Sequence, residues 1–321
     1  MRCLFVFSIF ILSFFVYPVS AGANIKYYGY DWLDYYESAN PSFSATDAYN
    51  SIYDAGYSTT NLNVVHSIKS LGLPICADGK CALNIQAGSG STTGSPLVDI
   101  CPGATSNNAC QAAGSWLNIW KIIQDVANAP NKPSAIYFID EPFDVPAMQT
   151  NSSYDAYQYA SYVCTVRQAM KNYGVSIPIY TILSYRHSQI PSYLNEIQNG
   201  APTTACPAAD KSTPDWVGVD NYNWSVSDMW ETYNRVAPQN NVDSPKWVLV
   251  PPSTASLGLN DEKLSAQIKL YRNFINQYPN APVIYIMNWR FDKGVTEKRS
   301  VYTKSTALLS CMANSIVLKL N

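Results

Sequence analysis

Asp140 and Glu141 are adjacent carboxylates that end the apolar run 135–139 and stand directly before Pro142. Two acids held side by side oppose each other's ionisation, so one member of the pair takes a raised pKa. A carboxyl that keeps its proton near neutrality is what general-acid catalysis requires, and Glu141 is the expected proton donor. The plainer alternative is that Asp140-Glu141-Pro142 ends a strand with solvated acids before a proline turn. Other chemistries find less support. His66 and His187 are the only histidines and no cysteine pair has C-x2-C spacing, so neither a metal nor an organic cofactor is expected. The chain lacks a G-x-S-x-G elbow, which argues against an esterase or protease.

Residues that act together need elements to bring them together. Short β-branched and aromatic runs occur at 26–30, 59–65, 82–86, 135–139, 177–183, 216–219, 247–250 and 283–287. Segments of helical period follow them, a pattern that predicts a parallel sheet covered by helices. Eight strands in a chain of this length predict an α/β fold, a (β/α)8 TIM barrel in a single domain over residues 22–321. Core stripes recur at Trp116, Trp120, Ile123 and Val126, and at Leu264, Ile268, Tyr271 and Ile275. Asn260, ahead of Asp261 and Glu262, reads as a helix N-cap, and a last helix around Leu308, Met312 and Ile316 closes the ring. The weak place lies between the second and third strands, where only 66–72 precedes Pro74.

In such barrels the working residues sit at the C-terminal ends of the strands. The first strand offers Asp31 and Trp32, the fourth Asp140 and Glu141, the fifth Tyr185 and Arg186, the sixth Asp220, Asn221 and Tyr222, and the eighth Asn288 and Trp289. Carboxylates, tyrosines and a tryptophan around one mouth suit cleavage of a glycosidic bond, with Glu141, Asp140 and Asp220 as catalytic groups. Tyr222, Trp289, Asn221, Tyr185, Asp31 and Trp32 are the expected substrate contacts. With 24 tyrosines and 8 tryptophans, aromatic rings are plentiful enough both to stack on sugars and to fill the core. Trp289 reads as a sugar platform or as packing, and Arg186 as a ligand for a charged sugar or as the partner of a nearby acid.

The run Ile139-Asp140-Glu141-Pro142-Phe143 resembles the Asn-Glu-Pro ending of the fourth strand in the cellulase-like clan of retaining glycoside hydrolases. In that clan the Glu is the acid/base. Val219-Asp220-Asn221-Tyr222 and Ile286-Met287-Asn288-Trp289 are similar to the clan's sixth and eighth strand endings. The sequence departs from the clan at the seventh strand, where Trp247-Val248-Leu249-Val250-Pro251-Pro252 lacks the nucleophilic glutamate, and at Asp140, which replaces the clan's Asn. An Asp-Glu pair is also similar to hexosaminidase-type barrels. That likeness implies that Asp140 orients a substrate 2-acetamido group, Glu141 donates the proton and Tyr222 steadies the intermediate. The chitinase-type D-x-x-D-x-D-x-E run is absent, with Ser134, Tyr137 and Phe138 in place of its acids. An inverting pair, Glu141 as acid and Asp220 as base, is the other repair, and a barrel that keeps the cleft without turnover, as a lectin or inhibitor, is the rival class.

The chain begins with Arg2, an apolar run 4–16 and Val19-Ser20-Ala21, the pattern of a cleaved signal peptide over 1–21 and hence of secretion. Cleavage leaves seven cysteines, of which Cys76 with Cys81, Cys101 with Cys110 and Cys164 with Cys206 are the expected pairs, one thiol remaining. Sequons stand at Asn151 and Asn223, and a glycan on Asn223 would crowd the mouth. Cleavage also leaves 20 basic against 23 acidic residues with no basic stripe, so nucleic acid is not an expected partner. The expectation is a monomer that meets carbohydrate and, once the signal is removed, no membrane.

Overall fold

A computed structural model of the chain describes residues 25–31, 61–88, 98–104, 107–144, 152–184, 212–221, 224–237, 244–252 and 261–288. Eight parallel strands form the wall: β1 (Tyr27–Tyr30), β2 (Asn63–Val65), β3 (Cys81–Gln86), β4 (Ala135–Phe138), β5 (Ile179–Ser184), β6 (Trp216–Asp220), β7 (Lys246–Leu249) and β8 (Val283–Asn288). Hydrogen bonding runs β1-β8-β7-β6-β5-β4-β3-β2, so sequence neighbours lie side by side and the two ends of the path are β1 and β2. Around the wall lie α1 (Asn107–Ala112), α2 (Ser115–Asn128), α3 (Ser152–Asn172), α4 (Val226–Val236) and α5 (Asp261–Gln277). The chain is a (β/α)8 barrel, with all eight expected strands present.

The ring closes by an unusual seam. No regular ladder joins β1 to β2 among the described residues; asparagine side chains stand in for one. Asn61 Oδ1 accepts from Tyr28 N at 2.8 Å, Asn63 Oδ1 accepts from Tyr30 N at 3.2 Å, and Asn61 N donates to Tyr28 O at 2.9 Å. Gly29 lies against the backbone of Leu62 at this seam, leaving no room for a side chain.

Alternation along the strands divides the apolar residues into two cores. The inner one fills the barrel: small Ala82 and Ala135 make room for a slab in which Tyr137 stacks on Tyr180 (4.8 Å between ring centres) and Tyr180 on Trp216 (5.6 Å), with Tyr285 edge-on to Tyr180. The larger core lies between wall and helices. On α2, Ile119, Ile123 and Val126 are buried while Trp116 and Trp120 pack half-buried against them. On α5 Tyr271 and Phe274 are buried and Ile275 packs half-buried against the core; the side chains of Leu264 and Ile268 lie outside the described residues.

Between β2 and β3 no α-helix forms in the described chain. Two 3-10 turns, Lys69–Gly72 and Pro74–Gly79, occupy the gap, because Pro74 cannot continue a helix and Asp78 and Gly79 take left-handed backbone. A two-residue strand, Val98–Asp99, pairs with β3 beyond the eight expected runs. Its Asp99 Oδ1 accepts from Gly88 N (2.8 Å) and Cys101 N (2.9 Å), which fastens the loop ends.

The disulfides Cys76–Cys81 and Cys101–Cys110 are formed, and Cys164 is disulfide-bonded as well; Cys206 lies outside the described residues. Closing a loop of nine residues restricts the unfolded chain by about 2.5 kcal/mol in the loop-entropy account. The double variant Cys101→Ser/Cys110→Ser should therefore denature at a lower urea concentration than the parent, with an m-value equal or slightly larger because its unfolded chain is less constrained; coincident transitions would show that the bridge adds nothing.

No helix among the described residues is long and apolar enough to cross a membrane. The signal segment 1–21, the Asn151 and Asn223 sequons, the Asn260 cap and the last helix around Leu308 lie outside the described residues.

Candidate active site

Glu141 reaches the barrel mouth through a break in β4. In the regular part of the strand Ile136 N donates to Pro178 O (2.9 Å), whereas at the end Glu141 N donates to Ile182 O (2.9 Å). Five steps on β4 thus match four on β5, the signature of a one-residue bulge. The extra residue is accommodated by left-handed backbone at Ile139 (φ 57°) and again at Glu141 (φ 43°). For a β-branched residue such as Ile139 that conformation is strained, by about 1–3 kcal/mol. Without the bulge, alternation from Ala135 and Tyr137 would point Ile139 into the barrel. With it, Ile139 joins the outer core and Asp140 comes to lie above Tyr137, accepting a short hydrogen bond from its hydroxyl.

The electrostatics follow from this placement. Glu141 is half-buried, and burial first, then the charges of Asp140, Asp220 and Asp144, push its carboxyl up to about 8. It therefore holds its proton at neutral pH. Burial also raises Asp140, while the Tyr137 hydroxyl and the charge of His66 pull it partly back. The Tyr137 phenol is itself driven well up, by burial and then by Asp140 and Asp31. Replacing Tyr137 by phenylalanine removes a bond that favours ionised Asp140, so Asp140 should take up its proton at a higher pH than in the parent. Carbon-13 NMR of the carboxyl reads this directly, and an unmoved titration would show that the hydroxyl does not act on it.

Asp220 ends β6 half-buried, near enough for its charge to act on Glu141. Asn221 follows it, with its carbonyl 3.4 Å from the Tyr271 hydroxyl. Asp31, at the end of β1, is fully buried, its Oδ1 3.4 Å from His66 Nε2 and its N bonded to Asn288 O. Asn288 is buried too, its Nδ2 donating to Gly29 O at 2.9 Å. The structure thus brings Asp140, Glu141, Asp220 and Asp31 to one end of the barrel. Trp32, Tyr185, Arg186, Tyr222 and Trp289 lie outside the described residues. After β7 come Val250 and Pro251, and no carboxylate stands there.

Two members of this end were missed from sequence, His66 and Tyr137. Both were within reach of counting by two: Leu62 and Val64 belong to the inner core, which puts His66 next in phase, and Ala135 does the same for Tyr137.

No family model matches the sequence, and no curated protein matches it either. Solved structures do resemble it. A fungal β-1,4-galactanase aligns with a TM-score of 0.52 and 13% identity, over 82% of this chain and 89% of that one. An endo-β1,6-glucanase gives 0.53 and 10% over 91% and 76%, and a β-glucuronidase from Bacteroides uniformis gives 0.50 and 10% over 84% of this chain but only 30% of that larger one. At such identities the likeness speaks to architecture alone, and it places this chain among the (β/α)8 barrels.

Proposed function

We propose that this chain is a secreted glycoside hydrolase that cleaves O-glycosidic bonds of a poly- or oligosaccharide, with Glu141 as the general acid. The observation that carries this reading is a carboxyl at the mouth of a (β/α)8 barrel held near pKa 8 by burial and by three neighbouring acids. Such a group can protonate a leaving oxygen at neutral pH. The proteins whose folds resemble it are by name a β-1,4-galactanase and an endo-β1,6-glucanase, which agrees with that assignment. The disulfides and the signal-like segment 1–21 support an oxidising, extracellular destination.

The second group is supported by two observations pointing to different chemistry. Asp220 lies near enough for its charge to act on Glu141, and a second carboxylate at the mouth is the group an inverting mechanism uses as the base that activates water on the far side of the sugar. The bond from Tyr137 fixes one oxygen of Asp140, and its other oxygen can then hold the N–H of a 2-acetamido group whose carbonyl attacks the anomeric carbon.

The test is product release by the purified mature protein from a panel of neutral polysaccharides and N-acetylated oligosaccharides, with Glu141→Gln alongside. Cleavage confined to 2-acetamido sugars supports the Asp140 route, and cleavage of neutral glycans with inversion supports Asp220. Binding without turnover on every glycan overturns the hydrolase reading in favour of a lectin-like barrel.

A further inference from the structure

The bulge in β4 leaves a carbonyl in an unusual place. Ile139 N still donates to Ile85 O on the β3 side (2.7 Å), but Ile139 O accepts on the opposite side, from Thr181 Oγ1 on β5 (2.8 Å). In a regular strand the N–H and C=O of one residue point to the same neighbour. Here the left-handed turn at Ile139 swings the carbonyl round to β5, and the Thr181 hydroxyl meets it there. Thr181 is buried, and its neighbours Tyr180 and Ile182 belong to the barrel interior, so its own side chain lies on the outer side of the wall, away from the mouth. Its hydroxyl also interacts with that of Tyr159, which packs on Phe138 and Phe143, so it acts on the mouth from behind the wall, through the backbone it holds and through this ring.

We propose that Thr181 is a positioning residue of this site, its hydroxyl locking the Ile139 carbonyl and so the direction in which Asp140 and Glu141 leave β4. Two contacts hold this turn on the β5 side, the Thr181 hydroxyl on Ile139 and the ladder bond from Glu141 N to Ile182 O. Losing the first leaves a buried carbonyl unsatisfied beside a strained residue, and the backbone relaxes towards a geometry without the bulge. Glu141 then turns towards solvent. The claim rests on Glu141 being the working acid, and its test has an arm that does not need turnover.

Thr181→Val keeps the shape and removes the hydroxyl, whereas Thr181→Ser keeps the hydroxyl. On a cleaved glycan, kcat of the valine variant should fall about 10- to 100-fold with KM changed little, as for a donor displaced by about 1 Å, while the serine variant stays near the parent. The second arm compares melting temperatures of each protein with and without Glu141→Gln from pH 5 to 9. In the parent that difference grows with pH as the raised carboxyl is forced to ionise, and in the Thr181→Val background it should largely vanish, because an acid turned to solvent titrates normally. Should Thr181→Val not fold, Thr181→Cys, with similar volume and a weaker donor, is read in the same way. A pH-dependent difference equal to the parent's in the valine or cysteine background, or serine losing as much as valine, overturns the assignment. Absence of turnover in the parent counts against the hydrolase reading alone, and the melting arm still decides the role of Thr181.

Discussion

Glu141→Gln should lower kcat by about three orders of magnitude while making the folded protein more stable as the pH rises, two effects of opposite sign from one proton. The amide is nearly isosteric and hydrogen-bonds to the same neighbours, but it has no acid proton to give. In the parent, activity should decline tenfold per pH unit above about 8, where the carboxyl ionises. The stability effect follows from the same value. The folded pKa of about 8 lies above the ordinary 4.5, so the native state holds a proton that the unfolded chain releases. The stability linked to that proton is fully present below about pH 4.5, is lost progressively as the pH rises to about 8, and is gone beyond it. Glutamine carries no such dependence. The melting temperature of the variant minus that of the parent should therefore climb across this window and level off above it. A difference that is flat across the window would show that Glu141 titrates like an exposed acid and would remove the physical basis for its role.

The largest effect on folding is expected from Gly29→Ala. A Cβ at this position would stand 1.7 Å from Leu62 O and 2.5 Å from Leu62 C, and both obstacles are backbone. No rotamer relieves such a contact, so β1 and β2 must separate, and the asparagine bonds between Asn61, Asn63 and β1 are lost with the fit. Overpacking in a well-filled core costs about 1–3 kcal/mol, and the broken seam adds to it, so the loss should be about 3 kcal/mol or more. Urea denaturation reads it, with Gly72→Ala as the control, since its Cβ would meet only Pro130 Cγ at an ordinary 3.6 Å. Equal stability of the two variants would mean that the seam is looser than described.

The eight strands were legible because the runs that make them are short, apolar and β-branched or aromatic, and because helical periods separate them. The carboxylates stood out too, since the residues that follow the strands of a barrel gather at its C-terminal end. The bulge was not. Ile139 continues the run from Ala135 without interruption, and alternation alone assigns it to the strand interior; only the bond from Glu141 N to Ile182 O reveals the additional residue. The pairing of Asp31 with His66 escaped for another reason. Each reads from sequence as a single polar residue at the end of its own strand, and their meeting depends on closure between the two ends of the sheet. The Val98–Asp99 strand is too short for any periodicity to register.

Closure by amide side chains makes this cylinder a rolled sheet with a clasp. Asp31 ends one lip of the clasp and His66 the other, so parting of the lips also parts the imidazole from its carboxylate. When it carries a proton, His66 favours the ionised form of Asp140, and Asp140 in turn bears on Glu141. The integrity of the wall and the acidity of its mouth are in this way the same variable, read at opposite ends of one short chain of charges.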